Sequence, residues 1–105
     1  MVSNPGLIGL LVGAGSVGKH HARVMSRRYQ QLIVVDPSST VEAWMKENLK
    51  SGDVYYNNLD SAISAIGDHA GNVTAVIANL APDHCSTFHR LADRGIRKIV
   101  CEKPM

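Results

Sequence analysis

The sequence predicts a doubly wound α/β domain, one parallel sheet of about five strands with helices on both faces. Three observations carry that expectation. Apolar runs of strand length recur along the 105 residues, segments of helical spacing lie between them, and the first passage from strand to helix runs through Gly13, Gly15 and Gly18. Strands that alternate with helices form a parallel sheet, because a parallel connection must cross over the sheet and does so right-handedly.

The first strand is expected over 7–12, a continuous apolar run of the kind a strand buried on both faces needs. From 17 to about 28 the period becomes helical, with Gly18, Ala22, Met25 and Tyr29 on one face that packs on the sheet. A second β-branched run covers 32–35. Ser39 and Glu42 then stand at the spacing of a capping box, opening a helix to about 49. Ser51, Gly52 and Asp53 break that helix, and 54–56 is a short strand. Asp60 or Ser61 caps a helix carrying Leu59, Ala62, Ile63 and Ile66. The fourth strand covers 73–78. Pro82 and Asp83 open a helix carrying His84, Phe88, Leu91 and Ala92, and Gly95 sits where a C-terminal capping glycine belongs. A buried fifth strand follows over 99–101.

Length and composition bound the function classes. At 105 residues, 45% apolar and 19% charged, the chain suits one globular domain and is too apolar for a disordered segment. The net charge is +2. Its clustered arginines, Arg23, Arg27 and Arg28, fall toward a helix end, where cations complement the macrodipole. No aromatic residues interleave with them as a base-stacking surface requires, so nucleic acid is not an expected partner. Cys85 and Cys101 have no metal-ligand spacing and read as core thiols. His20, His69 and His89 show neither metal spacing nor a nucleophile partner, so no metal is expected. The run at 7–12 is too short to span a membrane and lacks the flanks of a signal peptide, so a cytoplasmic location off the membrane is the default expectation.

The candidate binding element is Gly13-Ala14-Gly15-Ser16-Val17-Gly18, a G-x-G-x-x-G string that directly follows a buried strand and opens a helix. That arrangement aims free backbone N–H groups and the positive helix end at a pyrophosphate, as in a Rossmann-type dinucleotide site. Gly13 permits the tight turn, Gly15 admits the phosphates to the backbone, and Gly18 lets the helix pack closely on the strand. Asp36 ends the second strand 18 residues beyond Gly18, near the spacing of about 20 at which a carboxylate accepts hydrogen bonds from the adenosine ribose. A carboxylate there repels a 2′-phosphate, which favours NAD over NADP. Ser38, Ser39 and Thr40 are the residues that would cradle such a phosphate if Asp36 turned away. The competing reading of Asp36 is a strand-end carboxylate that caps its own turn.

With the glycine loop extended to His21, with Asp36, and with the ending Cys101-Glu102-Lys103-Pro104, the whole chain resembles the glucose-fructose oxidoreductase and inositol 2-dehydrogenase family. The resemblance implies that Lys103 reaches the nicotinamide end of the cofactor and contacts the substrate oxygen as the catalytic residue. It also implies that Glu102 lies beside the nicotinamide ribose and that Pro104 aims Lys103. His21 and His84 match family positions and are read as hydrogen-bonding groups of their helices. After the fourth strand the family carries Thr-Pro, whereas this chain has Asn79-Leu80, with Asn79 a candidate cofactor contact. Family members continue into a second α/β domain that supplies most of the substrate pocket and a histidine acid/base. The expected role is therefore the NAD(H)-binding domain of a longer oxidoreductase acting on a sugar, polyol or related secondary alcohol or carbonyl. A small-molecule substrate, and any homo-oligomer, would engage through that second domain. The alternatives are a stand-alone module that senses NAD(H) or another nucleotide and, less well matched, an S-adenosylmethionine methyltransferase domain.

Overall fold

The structure, a computed structural model, describes residues 4–78 and 81–101, without the side chains of 4–6, 16, 17 and 81–85. Strands β1 (Asn4–Val12), β2 (Tyr29–Val35), β3 (Val54–Tyr56), β4 (Val73–Ile77) and β5 (Lys98–Cys101) alternate with helices α1 (Ser16–Arg28), α2 (Thr40–Asn48), α3 (Leu59–Ile66) and α4 (Ala81–Asp93). A 3₁₀ segment, Gly67–Asn72, leads from α3 into β4. The strands form one sheet in the order β3-β2-β1-β4-β5, every pair parallel. The chain runs outward from β1 to β3 on one side, then returns past β1 to build β4 and β5. The order therefore reverses between β1 and β4, where the two wings of a doubly wound sheet leave a crevice beyond the strands' carboxyl ends.

Alternation along each strand sorts the apolar residues into two cores. Leu10 and Val12 of β1, Ile33 and Val35 of β2, and Val73, Ala75 and Ile77 of β4 pack with Ala62, Ile63 and Ile66 of α3 and Leu91 of α4. The intervening Leu11, Leu32, Val34 and Val76 pack with Ala22 and Met25 of α1 and Val41 and Met45 of α2. A period of two in the strands meeting a period of 3.6 in the helices thus covers both faces of the sheet. Close approach of α1 to β1 depends on Gly9, where a Cβ would lie 2.9 Å from a Tyr29 ring carbon and 3.1 Å from the Met25 methyl.

Several local expectations are corrected. β2 begins at Tyr29, directly after α1, so the Tyr29 N–H closes the helix on the Met25 carbonyl and the strand starts with no loop. The capping box at Ser39 does not form: Ser39 has helical torsions and makes no side-chain cap bond. A capping residue needs extended torsions to turn its oxygen toward the helix N–H groups. The cap of α3 is Asn58, not Asp60 or Ser61. Asn58 is extended and its side-chain oxygen accepts from the Ser61 N–H at 2.8 Å. β5 is an edge strand with only Ile99 half-buried, so Val100 is 53% exposed and Cys101 is an exposed free thiol rather than a core one. Val100 pairs in register with Val76, on the face of the sheet that packs against α1 and α2, but one strand farther out. Phe88 also points outward, and among the described side chains of α4 Thr87 and Leu91 are the buried ones. Gly95 behaves as expected, with φ of 89° in the left-handed region that favours glycine.

One polar knot ties the α1, β2 and α2–β3 segments together. The Asp53 carboxylate, 1% exposed, accepts from Ser26 Oγ at 2.5 Å and the Leu32 N–H at 2.9 Å, and pairs with Lys50 Nζ at 2.8 Å. Lys50 also donates to the Ser26 carbonyl. Asp53→Ala would strand a buried N–H and loosen the ammonium group. It should destabilise the fold by about 2–4 kcal/mol in urea unfolding. A loss of about 0.5 kcal/mol, the size of an ordinary surface change, would show that the knot contributes little.

Candidate functional site

Every carboxyl end of the parallel sheet points to the same edge, and the glycine loop stands there at the centre. The Val12 carbonyl accepts from the Ala78 N–H at 2.7 Å and the Gly13 N–H donates to the Val35 carbonyl at 2.7 Å, so the start of the loop is tied to both neighbouring strands. Gly13 has φ of 96°, a conformation L side chains rarely adopt, and this turns the chain out of the sheet. Gly15 is the cap residue of α1. It is extended, it has no side chain to occupy the helix's free N–H groups, and no acidic residue stands in the first turn. The positive end of the helix therefore keeps its attraction for an anion.

The other two glycines differ in what surrounds them. A Cβ on Gly18 would lie 2.3 Å from the Gly13 carbonyl oxygen and 3.0 Å from its carbon. A Cβ on Gly15 would meet no atom within 4 Å among the described residues. Gly18 is thus required by the packing of α1 on the loop, whereas the described residues leave Gly15 room for a side chain.

Asp36 stands just past β2, against this loop. Its Oδ2 accepts from the Ala14 N–H at 2.8 Å and its Oδ1 from the Ser38 N–H at 2.8 Å. The carboxylate therefore does cap its own turn, as one reading of the sequence holds, while also lying beside the glycine loop. A carboxylate has about four lone-pair sites, so roughly two remain for a diol. The Tyr55 hydroxyl lies 2.6 Å from the Asp36 carbonyl oxygen and 3.1 Å from that of Ser38. Burial, with the Asp36 and Glu42 charges adding to it, raises the Tyr55 phenol above the ordinary tyrosine range. Ser38 and Thr40 pair with each other through their hydroxyls at 2.8 Å.

Of the residues expected from sequence, Gly13, Ala14, Gly15, Gly18 and Asp36 come together here. Ser16 and Val17 supply the first turn of α1, and their side chains lie outside the described residues. Asn79, Glu102 and Lys103 also lie outside the described residues, as does the His84 side chain. His21 is half-buried on α1 with its ring edge-on to His20. Sequence reading missed Tyr55, because a tyrosine in a three-residue strand carries no sign of where its hydroxyl will land. It also missed Trp44, the single tryptophan, which lies under Lys19 at 5.8 Å and Arg23 at 5.2 Å and joins α2 to α1.

The sheet order, the helices on both faces and the loop at the β1 carboxyl end define a class: a doubly wound parallel α/β domain of the Rossmann type. Comparison with known proteins adds no relative to that class, since no family model, curated protein or solved structure matches the chain. Among the described residues no helix is long and apolar enough to cross a membrane.

Proposed function

We propose that this chain binds NAD(H) across the carboxyl edge of its sheet and serves an oxidoreductase acting on a sugar, polyol or related secondary alcohol or carbonyl. The observation that carries the binding reading is the meeting of Asp36 with the glycine loop at the end of β1, beside an α1 terminus that Gly15 leaves open. The loop and helix end suit the pyrophosphate, and Asp36 suits the adenosine ribose hydroxyls while opposing a 2′-phosphate. The nicotinamide, when bound, supplies the hydride acceptor or donor.

The oxidoreductase part of the proposal rests on the Glu102-Lys103-Pro104 ending and the family it resembles. Ile77 pairs with Cys101, so β5 ends at the same edge of the sheet as the loop, and Lys103 follows two residues later in sequence. In the proposed role its ammonium group stabilises negative charge on the substrate oxygen as hydride leaves or joins the carbon. Glu102 and Asn79 are proposed cofactor contacts, and the substrate pocket is assigned to a second domain.

Titration with NADH and NADPH at one salt concentration tests the cofactor assignment. NADH should bind more tightly, and Asp36→Ala should narrow the difference by removing the charge that opposes the 2′-phosphate. Tighter binding of NADPH by the parent chain would overturn the preference, and binding of neither would overturn the dinucleotide reading.

A further inference from the structure

We propose that Tyr55 is a specificity-determining residue of this site, holding the Asp36–Ser38 turn in the form that presents a carboxylate to the ribose. The inference rests on the dinucleotide reading above and names what fixes its ribose end.

Tyr55 is the middle residue of β3, paired in register with Val34. Its hydroxyl reaches across to a turn 19 residues earlier in the chain. One phenol proton lies between two carbonyl oxygens, those of Asp36 and Ser38, at 2.6 and 3.1 Å. A donor placed between two carbonyl oxygens offsets the repulsion of their negative ends. The same strand takes the other side of the turn through the Asp36 N–H, which donates to the Tyr56 carbonyl at 3.2 Å. Pro37, between the two carbonyls, restricts φ and leaves the turn few other forms.

The lock acts on specificity because Asp36 is both the residue held and the residue that would meet the ligand. With its backbone fixed at the N–H and the carbonyl, its carboxylate rests between the Ala14 and Ser38 N–H groups. A loosened turn frees that carboxylate to swing away from the loop. It also frees the Ser38 N–H, a donor of the kind a 2′-phosphate needs, beside the exposed Ser38 and Thr40 hydroxyls. The same bond that favours a ribose diol therefore withholds the Ser38 N–H from a phosphate. Phenylalanine would fill the space of the ring equally well, so the hydroxyl is what serves the turn.

Tyr55→Phe removes the donor and keeps the ring. Its NADH affinity should fall about tenfold, the value of one well-placed hydrogen bond, while NADPH affinity falls less or rises, so that the NADH-to-NADPH preference contracts. The amide protons of Ala14 and Ser38, both bound to the Asp36 carboxylate, should exchange faster in the unliganded variant. Tyr56→Phe, altering the neighbouring residue on the opposite face of β3, should leave the preference unchanged. A residue that only packs would shift the melting temperature or both affinities together and leave their ratio alone. An unchanged ratio in Tyr55→Phe, unchanged exchange at Ala14 and Ser38, or equal contraction in Tyr56→Phe would each overturn the proposal. If the parent chain binds neither dinucleotide, the site reading fails and this assignment falls with it, an outcome distinct from NADH binding with an unaltered ratio.

Discussion

Valine at position 15 should weaken NADH binding more than a hundredfold and leave the fold in place. The new side chain projects where no atom of the described residues lies within 4 Å, so none of them resists it. Gly15 is extended with a negative φ of −71°, so the position does not require the left-handed torsions that bar a side chain. The structural cost is that of a poor helix cap, about 1 kcal/mol. The functional cost is larger, because the added methyls fill the space through which a pyrophosphate reaches the backbone N–H groups. Losing two charge-assisted hydrogen bonds, each about 1.5–3 kcal/mol, is at least about 3 kcal/mol, or more than a hundredfold in affinity. Calorimetric titration together with thermal melting separates the two effects. Undiminished NADH binding by a folded Gly15→Val chain would reduce the loop to a turn.

Alanine at position 18 should do the reverse, destabilising the domain more than it alters any one ligand contact. Its single methyl would stand 2.3 Å from the Gly13 carbonyl oxygen, and that atom is backbone, in a turn already committed to φ of 96°. Neither side can yield cheaply. Moving Gly13 breaks its hydrogen bond to Val35, and moving α1 opens the core around Ala22 and Met25. A cost of about 3 kcal/mol is expected, toward the upper end for overpacking. In a domain of this length that lowers the melting temperature by more than about 10 °C. Melting within a few degrees of the parent would mean that α1 does not sit on the loop as closely as the geometry has it. The two glycines, three positions apart in one motif, thus separate by experiment: the Gly15 variant melts only slightly earlier and loses ligand, whereas the Gly18 variant takes the larger loss of stability.

The candidate site was legible in the sequence where function depends on local backbone geometry. Gly13, Gly15 and Gly18 announce themselves by spacing behind a buried strand, and Asp36 by its distance from them. Tyr55 and the Asp53 knot were not legible, because each joins segments 19 to 27 residues apart through a side chain whose partner is set by how β3 and the α2–β3 turn dock. The signal for Asn58 was present, an asparagine immediately before the apolar helix run, but Asp60 and Ser61 offered the same chemistry and only backbone torsions distinguish a cap from a first-turn residue.

By itself the sequence determined the number and order of strands and helices, the parallel sheet, the two-sided burial of its central strands and the position of the glycine loop. These follow from short-range facts, apolar period and backbone freedom, which act within a few residues and are written directly in the order of side chains. Tertiary structure alone decided which strands became edges. Runs 99–101 and 32–35 look alike as apolar segments, yet β2 is covered on both faces and β5 leaves Val100 and Cys101 exposed. Burial of a strand depends on what lies beside and across it, and these neighbours come from parts of the chain far away in sequence. The same holds for the Asp36 carboxylate, whose place between Ala14 and Ser38 required β1 and β2 to pair in register before the two ends could meet.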